Sequence, residues 1–152
     1  RAAKVTASAE HADGKAALVT NGMVRDIPNQ EVHHWQAPLA GDGAWIELEW
    51  EQPQRIRQVQ VTFDSGFQRE LSASDSISRG IVRAAQPETV KDYVIWATGV
   101  DGERRKVAEA KGNFQRLRRH ALDGVTARKL RIQVEATNGD DFARVFEIRC
   151  YA

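Results

Sequence analysis

Apolar side chains in this chain recur at every second residue, and that spacing limits the fold more than any other feature. In Trp45-Ile46-Glu47-Leu48-Glu49-Trp50, Ile46, Leu48 and Trp50 share one face and the two glutamates share the other. Side chains alternate across a strand, whereas an amphipathic helix needs apolar spacings of three and four, so this segment reads as a half-buried strand. Val59, Val61 and Phe63 continue the pattern through residues 55–63. Ile56 is out of phase with them, which predicts a bulge between. Residues 129–135 place Leu130, Ile132 and Val134 inward, and residues 144–151 place Phe146, Ile148 and Cys150 on one face. In the β-branched and aromatic run 89–98, Tyr93 and Ile95 face the core and Trp96 faces out. Shorter candidate strands are 4–8, 80–83, 105–108 and 114–120.

Turn signals separate these runs. Asp101-Gly102 reads as a hairpin, and Asn21-Gly22, Asp123-Gly124 and Asn138-Gly139 mark other turns or loops. The alanine-rich stretch 7–18 has room for a helical turn or two, interrupted at Asp13-Gly14. Many short strands with almost no helix predict an all-β, antiparallel sandwich or barrel. The irregular stretch 20–42 is long for a compact domain, and long loops are often functional.

Composition narrows the function. Lys and Arg number 22 against 21 Asp and Glu, so the basic excess expected of a nucleic-acid binder is missing. No apolar run reaches the roughly 18 residues of a membrane span. One cysteine excludes an internal disulfide and a zinc site built on several thiolates. Residues 1–152 read as one continuous domain. The chain starts at Arg1 with no apolar leader after it, the pattern expected of a piece taken from a longer or processed chain.

Signals of catalysis are poor. There is no Gly-x-Ser-x-Gly elbow, no Gly-x-x-x-x-Gly-Lys-Ser/Thr loop and no Gly-x-Gly-x-x-Gly fingerprint. His11, His33, His34 and His120 lack the spacing of a helical metal site. Glu47 and Glu49 read as a solvated strand face, and Cys150 as an inert core thiol. A protein that is not an enzyme is expected, with no FAD or NAD bound by this segment.

An ordered set of features carries a resemblance. An Asn-Gly loop and a Trp are followed by Trp45-Ile46-Glu47-Leu48, Ile56-x-x-Val59-x-Val61, Tyr93-x-Ile95 and Leu130-x-Ile132-x-Val134, and the chain closes on Phe142-Ala143-Arg144-Val145-Phe146-Glu147-Ile148. This order resembles the discoidin, or coagulation factor V/VIII type C, superfamily, to which family 32 carbohydrate-binding modules belong. Val61-Thr62-Phe63-Asp64, Gly112-Asn113-Phe114-Gln115-Arg116 and Ala136-Thr137-Asn138-Gly139 are also similar to a C-terminal domain of some bacterial FAD-dependent oxidoreductases. The resemblance implies a galactose-binding-like antiparallel jelly-roll β-sandwich with a ligand site in loops at one end. It further implies an extracellular or periplasmic setting and a structural calcium ion near the N-terminal loop. The matching positions are Asn21 and Glu147, with Asp26 supplying the carboxylate that Asn21 lacks.

Gripping a sugar takes a flat aromatic face for the C–H side of the ring and fixed polar groups for the hydroxyls. A carboxylated sugar adds a demand for arginine. Arg25, His34, Trp35, Asp64, Arg69, Asn138 and Asp141 fall in three loops that the family gathers at one end. Trp35 would stack, Arg and Asp would hydrogen-bond, and Asn138 would orient. Each has a plainer role: Trp35 packing beneath its loop, Asp64 satisfying a turn, His33 and His34 simply facing solvent. Arg116, Arg118 and His120 share a strand face. That face is either a basic strip for an acidic sugar or a neighbouring domain, or a solvated face paired with Glu103, Glu109 or Glu135; the solvated reading is preferred.

The expected partners are a carbohydrate, in one version an acidic polysaccharide, and the other domains of a parent enzyme, the isolated domain being a monomer. Polar loop tips argue against membrane insertion. The competing reading is a structural domain appended to an FAD-dependent oxidoreductase or a polysaccharide-degrading enzyme. It would bind no sugar, and Trp96 would form part of the contact.

Overall fold

The computed structural model describes residues 2–27, 31–66 and 82–152. The alternation becomes strands β1 (Lys4–Ala7), β2 (Trp35–Pro38), β3 (Ala44–Phe63), β4 (Val90–Thr98), β5 (Arg104–Ala110), β6 (Leu117–Thr137) and β7 (Phe142–Tyr151). One 3-10 turn, Ala16–Thr20, is all that the alanine-rich stretch forms. Every strand pairing is antiparallel, in the order β2-β7-β3-β6-β4-β5 with β1 against β3. Among the described residues no helix is long and apolar enough to cross a membrane.

Strands β3 and β6, 20 and 21 residues long, each serve two layers. Residues 44–49 pair with 129–134, and residues 58–62 pair with 117–121. Between these stretches the register slips at Glu49/Gln54 and again at Ile56/Gln58, where the out-of-phase Ile56 predicts a bulge. The ladder folds over there, so the two halves of each strand lie in facing layers. One layer holds β1, the start of β3, the end of β6, β4 and β5; the other holds the start of β6, the end of β3, β7 and β2. The antiparallel β-sandwich expected from the sequence is what forms. Asp123-Gly124 is not a connection between elements. It sits inside β6, where residues 122–124 oppose Arg57 alone, and such extra residues bend a strand.

The inner faces meet in one core. Ile46, Ile95 and Ile132 come from the first layer and Val59, Val61 and Phe63 from the second, all closed to solvent. Phe63 and Tyr93 meet across the layers with centroids 5.0 Å apart. Burying each such side chain stabilises the fold by roughly 1.5–3 kcal/mol. Burial also pushes the Cys150 thiol up to about 12, consistent with an inert cysteine.

Three local expectations fail. Phe146 does not share the face of Ile148. Thr62 pairs with Glu147 and Phe63 with Val145, which leaves Phe146 as the extra residue of a bulge. Ala143, Val145 and Ile148 enter the core cluster, and Phe146 lies outside that cluster while remaining buried. Residues 114–116 precede β6 rather than opening it. Of the short candidate 80–83, Gly80 and Ile81 lie outside the described residues, and Val82 and Arg83 form no strand.

Phe63, Val90, Ala110, Leu117, Thr137 and Phe142 all end or begin strands at one pole. The other pole carries the β4–β5 turn, the bends of β3 and β6, and Tyr151. The ten residues of β7 separate the poles by about 30 Å at strand rise.

Gly43 has φ +90, and a Cβ there would lie 2.1 Å from the Val134 carbonyl oxygen. Gly102, in the β4–β5 turn at φ +79, has nothing within 4 Å. Gly102→Ala should cost only the left-handed penalty of roughly 1–2 kcal/mol. Gly43→Ala should cost clearly more, because a backbone carbonyl in the β3–β6 ladder must also move. Equal urea midpoints for the two variants would contradict this packing.

Candidate functional site

The loops at the Phe142 pole are held by side-chain amides. Asn113 is buried; its Nδ2 donates to the carbonyls of Val90 at 2.7 Å and Gln115 at 3.1 Å. Its Oδ1 accepts from Gln115 N at 3.1 Å and from an Arg118 guanidinium nitrogen at 3.0 Å. Asn138 Nδ2 donates to the carbonyls of Thr89 and Asn113, both at 2.9 Å. Gly112 N donates to Asp92 Oδ1 at 2.8 Å. The loop 111–116 is therefore tied to the start of β4 and to the β6–β7 turn. On this pinned loop stands Phe114, whose side chain is open to solvent with 68% relative exposure. An aromatic ring on a fixed backbone is a binding plate that loses little entropy when it is covered.

A second network joins the long N-terminal loop to the end of β3. Arg116 lies over the ring of Phe146, 4.9 Å from its centroid. It donates to the Val24 carbonyl and to Ser65 Oγ, the latter at 3.4 Å. Burial draws the Arg116 pKa below the ordinary arginine value, and the nearby Asp64 and Asp26 carboxylates oppose that pull. His34 packs against the same Phe146 ring at 5.2 Å and holds Asp26 through Nδ1 at 2.9 Å. Asp26 also accepts the backbone N–H of His33 at 2.7 Å. The bulge that turns Phe146 out of the core supplies the ring on which these groups assemble.

The predicted ligand residues separate into two groups. Arg25 and Asp141 are exposed, with no side-chain partner among the described residues. His34, Trp35, Asp64 and Asn138 are taken up inside the scaffold. Trp35 does not stack on anything from solvent: it is fully buried, and its indole N–H donates to the Ala9 carbonyl at 2.9 Å. Asp64 is buried and caps a turn by accepting Gly66 N at 2.9 Å. Arg69 lies outside the described residues. Phe114 was missed because it is in phase with a strand extended back from 120; the Gly112-Asn113 pair just before it was the available signal of a turn.

The basic face is also different from expectation. Arg118 and His120 pair with Val61 and Val59, whose side chains point inward, so both line the edge of the core. Arg118 binds Asn113, and His120 Nε2 lies 2.8 Å from Tyr93 Oη. The glutamates foreseen as partners pair elsewhere: Glu103 with Arg105, Glu109 with Lys106, Glu135 with Lys111. Trp96 is half-buried, with the Arg104 guanidinium 5.0 Å over its ring.

The residues expected to hold calcium each have partners within the protein. Glu147 accepts Gly22 N at 3.0 Å and Arg149 Nε at 3.1 Å. Asn21 Oδ1 is turned to Met23 N, and Asp26 is engaged by His33 and His34. Among the described residues no three His, Cys, Asp or Glu side chains are placed to share a metal.

The Tyr93–His120 pair gives a pH signature. Burial, with Arg118 opposing, pushes the Tyr93 phenol up to about 12. Burial, and then Arg118, lowers the His120 pKa below its ordinary value. On the acid side the unfolded imidazole takes up a proton that the folded one refuses, so stability falls as pH drops below about 6.5. On the basic side the unfolded phenol ionises first, so stability falls from about pH 10 towards 12. In thermal melts against pH, Tyr93→Phe should flatten the basic limb; an unchanged limb would contradict the assignment.

Comparison with known proteins follows this geometry. The family model described as "Domain of unknown function (DUF7402)" matches residues 1–119. No curated protein matches the chain. Among solved structures, the family 32 carbohydrate-binding module of EndoD from Streptococcus pneumoniae is similar with a TM-score of 0.70 and 17% identity, over 98% of this chain and 94% of that one. The family 32 module of NanJ from Clostridium perfringens, solved with galactose, gives 0.68 and 14%, over 99% and 93%. A family 89 glycoside hydrolase from Clostridium perfringens gives 0.70 and 20%, over all of this chain and 14% of that one. At these identities the likeness is one of fold: a discoidin-like β-sandwich of the kind seen in family 32 modules.

Proposed function

The chain belongs to the DUF7402 family, a domain of unknown function, and from that premise we propose that it is a non-catalytic carbohydrate-binding module, accessory to a larger enzyme. The observation that carries this reading is Phe114, exposed on a loop whose every neighbour is hydrogen-bonded in place. Its ring offers the apolar plate for the C–H face of a pyranose, and Arg25, Gln115 and Asp141 on the same rim offer exposed polar groups for hydroxyls. With an acidic polysaccharide, the Arg25 fork would take the carboxylate.

The carboxylates near the rim do not act as a hydrolytic pair in this reading. Asp26 is held by His34, Asp64 caps its turn, and Asp140 binds Arg144 at 2.6 Å. Asp141 alone is not the two-carboxylate arrangement of glycoside hydrolysis. Two neighbours support the reading by their own descriptions: one was solved with galactose, and another is a hydrolase of which the matched part is 14%. A module of this kind works where polysaccharide is met, outside the cell or in the periplasm. Its affinity for a short sugar is modest, because a shallow rim buries little area.

A second reading has its own observation. Met23, Val24 and Leu117 are 39–41% exposed, and the Arg116–Val24 bond ties their segments together beside Phe114. That apolar patch suits contact with another part of a parent protein.

Calorimetry against ligands found on a glycan array separates the two. Phe114→Ala should lower sugar affinity tenfold or more without moving the melting temperature, since the ring is exposed. Met23→Ser with Val24→Ser should leave sugar binding intact. An array without hits would remove the carbohydrate reading and leave the docking one.

A further inference from the structure

A chain of titratable and charged groups runs from the core edge to the Phe114 loop, and the sugar reading leaves it unused. Tyr93 of β4 is fully buried, and its Oη lies 2.8 Å from His120 Nε2. The two rings meet edge to face with centroids 5.7 Å apart. Arg118 and His120, both half-buried, stand two residues apart on β6 and pair with Val61 and Val59. Residues two apart on a strand share a face, with Cα atoms roughly 7 Å apart at strand rise. The Arg118 guanidinium donates at 3.0 Å to Oδ1 of Asn113, the residue before Phe114.

One proton changes this chain. A neutral imidazole sits beside the arginine without electrostatic conflict. An imidazolium faces a second cation where water is partly excluded, and like charges there repel more strongly than in solvent. The groups around His120 are Tyr93 from β4, Arg118 from its own strand and the apolar Val59 and Val61 from β3. Among the described residues Arg118 has no ion pair, so no carboxylate offsets the added charge. Burial and Arg118 already hold the His120 pKa below its ordinary value. Protonation also makes Nε2 a donor to Tyr93 Oη, so the phenol hydrogen must point elsewhere. Arg118 is the group able to yield, because a long stem lets its guanidinium swing to solvent. In leaving, it gives up the charge-assisted bond of the Asn113 network. Asn113 Oδ1 is then held by Gln115 N alone, at 3.1 Å.

We propose that His120 is a proton switch for the rim: once it is charged, Arg118 leaves Asn113 and the loop bearing Phe114 loses part of its hold. The hold is complete above about pH 6.5 and is lost as the pH falls through the lowered midpoint. The proposal deepens the carbohydrate reading, and its binding arm rests on that reading; the loop change needs no sugar. Protonation and binding are reciprocal, so a sugar covering Phe114 lowers the His120 midpoint by the factor by which acid weakens the sugar.

The test follows isotope-labelled protein by NMR from about pH 7.5 to about pH 5, the range in which histidine titrates. The expected result is that the His120 ring, Arg118 Nε and Asn113 Nδ2 signals move together with one midpoint. His120→Gln, which stays polar beside Tyr93 and takes no charge, should leave the Arg118 and Asn113 signals flat. Arg118→Gln should raise the His120 midpoint and abolish the Asn113 response, which keeps the test decisive where His120→Gln does not fold. Galactose affinity, measured by calorimetry, should fall by about fivefold over this range in the unaltered chain and stay flat in His120→Gln. If the Arg118 and Asn113 signals do not follow His120, or His120 takes up no proton before the fold is lost, the switch is overturned. If galactose affinity depends on pH equally in His120→Gln, the proton acts elsewhere and the switch is overturned while the rim reading stands. If galactose does not bind at neutral pH, the carbohydrate reading loses support and the loop signals alone decide the switch.

Discussion

A strand that belongs to two stacked layers must turn from one to the other without leaving its backbone donors unpaired. β3 and β6 meet that demand together. They stay paired on both sides of the bend and slip register within it, at Glu49/Gln54 and Ile56/Gln58. Side chains close part of the gap: Arg128 donates to the Glu51 carbonyl at 2.8 Å, and Gln54 Nε2 to the Gln52 carbonyl at 2.6 Å. Because both strands return to the pole they started from, the loops that enter and leave them gather at that pole. The collected rim and the bent opposite end are two consequences of one folded ladder.

At the rim, polar side chains serve the scaffold before they serve any ligand. A buried amide or carboxylate must find partners or bear its full desolvation cost. Asn113, Asn138, Asp64 and Asp26 all find theirs within the protein. What remains for a ligand is what those bonds hold outward: the ring of Phe114 and the free ends of Arg25, Gln115 and Asp141. Residue type alone therefore does not separate a rim contact from a rim support; the hydrogen-bond count does.

This explains which parts of the molecule were legible in the sequence. Strand faces were, because Ile46/Leu48, Val59/Val61 and Leu130/Ile132 alternate without interruption and the core accepts only one phase. The Ile56 bulge was legible as a broken phase. The bulge at Phe146 was not, because Phe146 is itself apolar and extends an apparently regular pattern to Ile148 and Cys150. Trp35 stood open between stacking and packing, and Phe114 drew no role of its own, for one reason. Both are aromatic residues near loops, and their difference lies in long-range partners: an Ala9 carbonyl that receives the Trp35 indole, and an Asn113 amide that holds the Phe114 loop away from the core.

The same long-range coupling decides where variation is tolerated. Replacing a group that only reaches solvent, such as Arg25 or Asp141, leaves the ladder intact. Replacing Asn113 leaves the Val90 and Gln115 carbonyls and the Arg118 guanidinium short of a partner at once, and Arg118 stands beside the His120–Tyr93 pair. Damage there spreads into the core edge. A scaffold that keeps its supporting amides internal and its variable groups at the tips can change ligand without changing fold. The low identity and high structural likeness to sugar-binding modules fit that division. A close backbone match at low identity is expected when the ladder determines which residues must stay.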